Sequence, residues 1–381
     1  PEKYRLTANL PADPAALEQA AELLAAADFI NIHCGNGAER ARAGETVRAM
    51  AEYLGAAVTY TIRARGIVSD EHSLVFHPTC LSRIMANSQA DVVLAVGTRL
   101  GELNMWGQPP MFGDADQQQL IQIDTEPTHM GLNRPVDVPL VGDATVVLNQ
   151  LMEAVKSRTQ KRKHHPKIAE LRAVQDDWQR ELDGAVADME RSPMLTGQIL
   201  KVCNDFFPPD AVMVMDGGNT TLWSIHYHVA RTQRSVVYSM NYGHLGTGLP
   251  YAIGAKLARP DKTVYCVTGD SAFGFNLQEL ETAVRHRLPV IIIVAVDGAY
   301  GMEKSAQRRA FGREADWFGH DHAPVRYDQV AWGMGCHGEY VTKGSELRPA
   351  LERSLASGKP AVIHAAVDPV ANVDPPGNWL W

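Results

Sequence analysis

Short runs of β-branched and other apolar residues alternate along the chain with longer stretches in which apolar positions recur every three or four residues. A run of four to seven apolar residues has the length of a strand buried on both faces, whereas recurrence at three and four marks one face of a helix. In the first part of the chain the pattern predicts strands at Phe29–Cys34, Ala57–Tyr60, Asp91–Gly97, Leu120–Asp124 and Val138–Gly142, with helices such as Ala15–Ala27 and Ala38–Leu54 between them. After Leu151 the strand signal stops. The stretch from Ser157 to about Arg191 is polar and basic at first, then places Ile168, Leu171, Val174 and Trp178 at helical spacing, which predicts a linker followed by a bridging helix. Strands resume at Ala211–Met215, Ser235–Met240, Thr263–Thr268, Val290–Val296 and Ala361–Ala366. Two such alternations predict an α/β protein with two parallel-sheet domains, 1–156 and 192–381, joined through 157–191.

Composition and charge narrow the function classes. The longest apolar run, Val290–Val296, is too short to span a bilayer, and the N-terminal segment lacks the basic start and apolar core of a signal peptide. A cytoplasmic protein without a membrane span is expected. The five cysteines Cys34, Cys80, Cys203, Cys266 and Cys336 are scattered and form no Cys-x-x-Cys pair, so neither a disulfide framework nor a zinc knuckle is expected. A net charge of −8 gives no electrostatic footprint for nucleic acid, and the one basic run, Lys161–His165, falls in the linker.

Candidate chemistry concentrates in the second domain. Asp270 and Asp297 each sit at the carboxyl end of a predicted strand, and in a parallel sheet neighbouring strand ends face one crevice. Two carboxylates there can converge on one hard cation such as Mg²⁺, which completes its shell with phosphate oxygens and water. Ser271 and Ala272 open the following helix, with Leu277, Leu280 and Val284 on its core face, and a helix start favours an anion. Upstream, Met215–Trp223 leaves a strand through Gly217 and Gly218 and then offers Asn219, Thr220 and Thr221, amides and hydroxyls suited to phosphate oxygens. Tyr242–Pro250 is a glycine-rich loop that feeds a helix. Each segment taken singly also reads as an ordinary turn.

Taken together, MNYGHLGTGLPYAIGA over Met240–Ala255 and GDSAFGFNLQELETAVRHRLPV over Gly269–Val290 resemble the pyrophosphate-binding domain of thiamine-diphosphate enzymes of the acetolactate synthase and 2-hydroxyacyl lyase group. The first domain resembles that family's middle domain, especially in ADVVLAVGTRLGE and QLIQIDTEPTHMGLNRPVDVPLVGDA, so the resemblance covers nearly the whole chain. It implies thiamine diphosphate and Mg²⁺ as cofactors, with Asp270, Asp297 and the carbonyl of Ala299 on the metal. It implies Gly217, Gly218, Asn219, Thr220, Thr221, Gly243, His244, Leu245, Gly269, Ser271, Ala272, Tyr300, Gly301 and Met302 along the cofactor. Leu245 would be the apolar wedge under the bent cofactor, and the Gly243 carbonyl would accept from its aminopyrimidine. Near the reacting carbon the candidates are Glu303, His244 and His226, with His228, Tyr242 and Met302 beside them.

Three departures stand out from the family pattern. Val296-Asp297 stands where the resemblance leads one to expect Asn-Asn, which adds negative charge beside an anionic diphosphate and calls for the metal or a cation such as Lys304, Arg308 or Arg309. Ser271 stands where the family has glycine. The family's N-terminal pyrimidine-binding domain, which supplies the glutamate that activates the cofactor, has no counterpart before Phe29. The expectation is therefore a subunit or fragment of a decarboxylase, carboligase or lyase acting on a 2-oxo acid or 2-hydroxyacyl compound. A pyrimidine-binding domain would come from another chain of a hetero-oligomer or from a longer polypeptide. The alternative is a noncatalytic cofactor-binding or regulatory subunit of the same fold. FAD or the ADP part of coenzyme A in the first domain is a third reading: His33-Cys34-Gly35-Asn36-Gly37 follows a strand but lacks the full Gly-x-Gly-x-x-Gly spacing. The C-terminal segment Pro375–Trp381, which ends in the apolar Trp379-Leu380-Trp381, is expected to dock on the site mouth or on a neighbouring subunit.

Overall fold

The buried apolar runs become strands in a computed structural model that describes residues 10–239, 241–312, 318–372 and 375–376. Met240 and residues 377–381 of the expected docking segment lie outside the described residues. The chain divides into two compact units: one runs to Gln179 and takes in Ala230–Arg234, the other holds Arg180–Val229 and the chain from Ser235. No described helix is long and apolar enough to cross a membrane.

The first unit is built on strands β1 (Ile30–Cys34), β2 (Ala57–Tyr60), β3 (Val92–Val96), β4 (Gln119–Asp124) and β5 (Val138–Val141). They pair in parallel in the order β2-β1-β3-β4-β5. Every residue of β1, β2 and β3 is buried, as expected of strands covered by helices on both faces. Helix Pro14–Ala26 starts where Asp13 accepts from the N–H groups of Ala15 and Ala16 and proline sits in the first turn; Asp143 starts helix Ala144–Lys156 in the same way. The helix expected over Ala38–Leu54 is instead two, Asn36–Arg40 and Gly44–Leu54, because Arg42 takes a φ of 60° between them. The linker region carries the expected helix at Pro166–Ala185, with Ile168, Leu171 and Trp178 buried.

The second unit has β6 (Val212–Met215), β7 (Val236–Val237), β8 (Val264–Gly269), β9 (Ile291–Val296), β10 (His337–Val341) and β11 (Ala361–Ala366). Their order is β10-β11-β9-β8-β6-β7, again all parallel. Burying side chains such as Ile292, Val294 and Leu280 stabilises this sheet by about 1.5–3 kcal/mol each. The strand expected at Ser235–Met240 contracts to two residues at the sheet edge. The edge strand β10 was not expected. The single helix expected after Ser271 is broken into Asp270–Asn276, a 3₁₀ turn and Leu280–Arg285. In both sheets one pair of neighbouring strands, β1/β3 and β6/β8, leads the chain off in opposite directions, and such switch points leave a crevice at the carboxyl ends of the strands.

Candidate functional site

At the β6/β8 switch the chain leaves both strands through glycine. Gly217 has a φ of 101°, and a Cβ there would lie 3.2 Å from the backbone nitrogen of Gly269. A Cβ on Gly269 would lie 3.1 Å from Thr220 Oγ1, so bulk at either position would part the strand ends. Between the two glycines Asp216 acts as a latch. Its buried carboxylate accepts from the N–H of Gly217 at 2.8 Å, of Gly248 at 2.7 Å and of Gly246 at 3.3 Å, which ties the end of β6 to the glycine-rich loop. Burial pushes its carboxyl above the ordinary value, and the three N–H groups pull the other way. The result is a cleft of about 290 Å³ lined from the ends of β6, β8 and β9.

Asp270 and Asp297 stand at the floor of this cleft. Asp270 is buried; one oxygen accepts from Ser271 N–H at 2.7 Å and the other from Gly298 N–H at 2.8 Å. Asp297 accepts from Ala299 N–H at 3.1 Å. Burial raises Asp270 to about 6, and burial together with the charge of Asp270 raises Asp297 to about 7. Two carboxyl groups that resist ionisation side by side are what a bound cation relieves. Of the cations suggested by the sequence, Lys304 is engaged with Asp321 at 3.2 Å.

The residues present fit a divalent metal and a diphosphate. Two carboxylates and a carbonyl oxygen are hard donors of the kind Mg²⁺ takes. Among the described residues no group of three or more His, Cys, Asp or Glu side chains gathers into a metal cage, so a cation here would draw further oxygens from a ligand or water. Asn219 Nδ2 is buried without a hydrogen-bond partner, a state that costs on the order of 1–3 kcal/mol until an acceptor arrives. A Cβ on Gly301 would lie 2.5 Å from Asp297 Oδ2 and 3.1 Å from Asn219 Nδ2, so only glycine keeps the space between them clear. Helix Asn219–Tyr227 begins there with no side-chain cap, leaving its positive end toward the cleft.

The cleft brings together the sequence-predicted Gly217, Gly218, Asn219, Thr220, Thr221, Gly243, His244, Leu245, Gly269, Asp270, Ser271, Ala272, Asp297, Ala299, Tyr300, Gly301, Met302 and Glu303. His226 is not among its lining residues: it is buried in helix Asn219–Tyr227, and its Nδ1 donates to the Leu222 carbonyl at 2.8 Å. At the other helix start, Ser271 N–H is donated to Asp270. Sequence reasoning missed Asp216 as a latch, although Met215-Asp216-Gly217 was in view. It also missed the lining residue Asn372, whose side-chain oxygen accepts from Thr196 N–H at 2.8 Å and whose carbonyl accepts from Trp223 Nε1 at 2.9 Å. No local signal marks Asn372.

Comparison with known proteins agrees with this geometry. Residues 216–365 match the family model of the thiamine pyrophosphate enzyme C-terminal TPP binding domain, and residues 17–151 match that of the thiamine pyrophosphate enzyme central domain. The chain is 33% identical over 366 residues to the acetolactate synthase large subunit IlvG of Mycobacterium tuberculosis, covering 95% of this chain and 64% of that protein. It is 30% identical over 370 residues to the acetolactate synthase isozyme 2 large subunit of Escherichia coli, covering 95% and 64%. To the 2-hydroxyacyl-CoA lyase of Oryza sativa subsp. japonica it is 30% identical over 371 residues, covering 94% and 62%. The chain thus spans just under two thirds of the length of these relatives. With both family models matched in order and the cleft residues from Asp216 to Glu303 inside the second of them, the chain belongs to the thiamine pyrophosphate enzyme family and carries its central and C-terminal TPP-binding domains.

Proposed function

We propose that the cleft holds thiamine diphosphate through Mg²⁺ bound by Asp270, Asp297 and the Ala299 carbonyl, as part of an enzyme that cleaves or forms a carbon–carbon bond beside a carbonyl. The substrate class is a 2-oxo acid for a decarboxylase or carboligase, or a 2-hydroxyacyl compound for a lyase. The observation that carries the proposal is half-buried Asp297, beside buried Asp270, across the space kept clear by Gly301 from the unpartnered Asn219 amide. The cofactor, when bound, supplies a nucleophilic carbon and an electron sink. Asn219, Thr220 and Thr221 would hold the diphosphate, half-buried Leu245 would pack on the middle of the cofactor, and Met302, packed on Gly218, closes one wall. His244 and Glu303 are exposed at the cleft and are the groups placed to move a proton at the substrate end.

A pyrimidine-binding domain, on another chain or on a longer form of this one, completes the site in this proposal. Among the described lining residues the carboxylates are Asp216, Asp270, Asp297 and Glu303, and the first three accept from backbone N–H groups near the diphosphate end. The glycine-rich loop also carries fully exposed Tyr242, and Phe275 beside Gly246 is 55% exposed. Exposed aromatic groups beside a cleft suit a covering surface. The test is turnover of a panel of 2-oxo acids by the full chain with thiamine diphosphate and Mg²⁺, alone and with a pyrimidine-binding-domain protein added. Turnover only in the second case is expected, and robust turnover by the chain alone would remove the need for a partner. Cofactor binding without turnover in either case would favour the noncatalytic reading, which the extra charge of Asp297 recommends.

A further inference from the structure

We propose that Ser271 and His322 form a hydrogen-bonded pair that aims the Ala299 carbonyl at the metal position, making both of them positioning residues for the cation. The inference rests on the assignment of that carbonyl to Mg²⁺ made above. Ser271 Oγ lies 2.9 Å from the Ala299 carbonyl oxygen and 2.7 Å from His322 Nε2. A hydroxyl has one hydrogen and two lone pairs, whereas a carbonyl only accepts. When Oγ donates to Ala299, its lone pair accepts from Nε2–H of His322, so the hydroxyl uses both its hydrogen and a lone pair. One lone pair of the carbonyl is then fixed by the hydroxyl and the other is left for the cation.

The imidazole is itself held by the loop it serves. His322 N–H donates to the Gly298 carbonyl at 2.7 Å, Tyr300 N–H donates to the His320 carbonyl at 2.8 Å, and Ala299 pairs with Asp321 in an antiparallel bridge between those two bonds. The His322 ring meets Tyr300 edge to face at 4.6 Å. On the opposite side Gly298, at a φ of 73°, donates its N–H to Asp270. The short loop that carries Asp297 and Ala299 is thus pinned from Asp270 on one side and from the 320–322 segment on the other, with Ser271 bridging the two. A glycine at 271 has no hydroxyl to make that bridge. Residues that orient a metal ligand in this way typically contribute about 10–100-fold to metal affinity.

The alternative use of the hydroxyl is as a direct metal ligand, since Oγ also lies 3.4 Å from Asp270 Oδ1. The two uses part at His322, which only the clamp requires. The experiment measures Mg²⁺ and Mn²⁺ affinity of the full chain by calorimetry in the presence of thiamine diphosphate, with the Mn²⁺ electron paramagnetic resonance spectrum as a signature of ligand geometry. Ser271→Ala and His322→Ala should each weaken the metal about tenfold and alter the Mn²⁺ spectrum. His322→Gln, which keeps a donor, should restore most of the affinity, and the double Ala variant should be no worse than either single one. Circular dichroism checks folding, and Ser271→Gly reads the same contact should Ser271→Ala not fold. Unchanged metal affinity in His322→Ala with binding lost in Ser271→Ala would overturn the clamp in favour of a ligating hydroxyl. Unchanged affinity in both would overturn any role for the pair. Absence of Mg²⁺ and Mn²⁺ binding in the unaltered chain would overturn the metal assignment itself, and the clamp with it.

Discussion

The two sheets treat the same kind of switch point in opposite ways. In the first unit the loops after β1 and β3 close on each other: a Cβ on Gly35 would lie 2.4 Å from the Gly97 carbonyl oxygen, and one on Gly97 only 2.3 Å from Ala38 N. The N–H groups of Gly35 and Gly37 are donated to the carbonyls of Val96 and Gly97 at 2.8 and 2.9 Å, so two amides that would meet a pyrophosphate are engaged. Behind them His33 bonds Thr59 at 2.8 Å and Asn104 at 3.2 Å, and burial lowers it to about 3, which keeps it neutral. In the second unit the glycines after β6 and β8 hold a cleft open, its paired acids are pushed toward protonation, and an amide waits without a partner. A shared kind of switch point therefore does not decide where a ligand sits; what decides is whether the strand-end amides and carboxylates are already satisfied by the protein.

The largest expected effect separates the two units by charge. Replacing Asp270 with Asn keeps the shape and removes one formal charge from the metal position, a Coulomb loss of about 4 kcal/mol or roughly a thousandfold in Mg²⁺ affinity. Calorimetry that found less than a tenfold change would break the contrast. Next, Gly97→Ala places a methyl against the backbone of Ala38 at a φ of 61° and should destabilise the chain by about 3 kcal/mol in thermal melts. Metal affinity at the second unit should stay within about twofold, because the substitution touches only the closed switch.

A smaller effect follows from pH. Asp270 and Asp297 titrate near 6 and 7 in the folded chain against an ordinary 3.8, so between those values the folded state holds more protons than the unfolded one. Without cofactor, stability should then fall as pH rises from about 4 to 7, by on the order of 1–3 kcal/mol. Asp297→Asn should flatten that slope in urea titrations, while Mg²⁺ binding to the unaltered chain should tighten over the same rise as the carboxylates lose their protons. An unchanged slope would mean that the two acids do not repel as described. The smallest effect is Gly218→Ala. Its Cβ would lie 3.0 Å from that of Met302, a contact the wall can relieve by shifting, so thiamine diphosphate affinity should drop by less than about 1 kcal/mol.

The strands were legible because burial on both faces leaves short, mostly apolar runs: Ala57–Tyr60 and Ala361–Ala366 appear at the predicted bounds. Edges were not. β10, His337–Val341, is polar at alternate positions and pairs on one side only, and β7 keeps two residues of a run that looked longer. The break at Arg42 inside an otherwise helical pattern depends on tertiary packing, including the Ile67 carbonyl, which lies 2.2 Å from where a Gly44 Cβ would stand. Within the site, residues placed by strand ends and glycine loops were readable in order along the chain. His322 and Asn372 were not, since His322 meets Ser271 across 51 residues and Asn372 meets Thr196 across 176. His226 shows the converse, a histidine next to readable residues that helix geometry turns inward.

In the proposed site the metal and the diphosphate, rather than the organic rings, are at the heart of this chain's own binding surface. The most direct test is a titration of thiamine diphosphate into the unaltered chain with Mg²⁺ or with a chelator, followed by competition with inorganic pyrophosphate and with unphosphorylated thiamine. The account predicts binding that requires Mg²⁺ and is displaced by pyrophosphate plus Mg²⁺ but not by thiamine. Binding that persists in chelator, or that thiamine displaces and pyrophosphate does not, would contradict it.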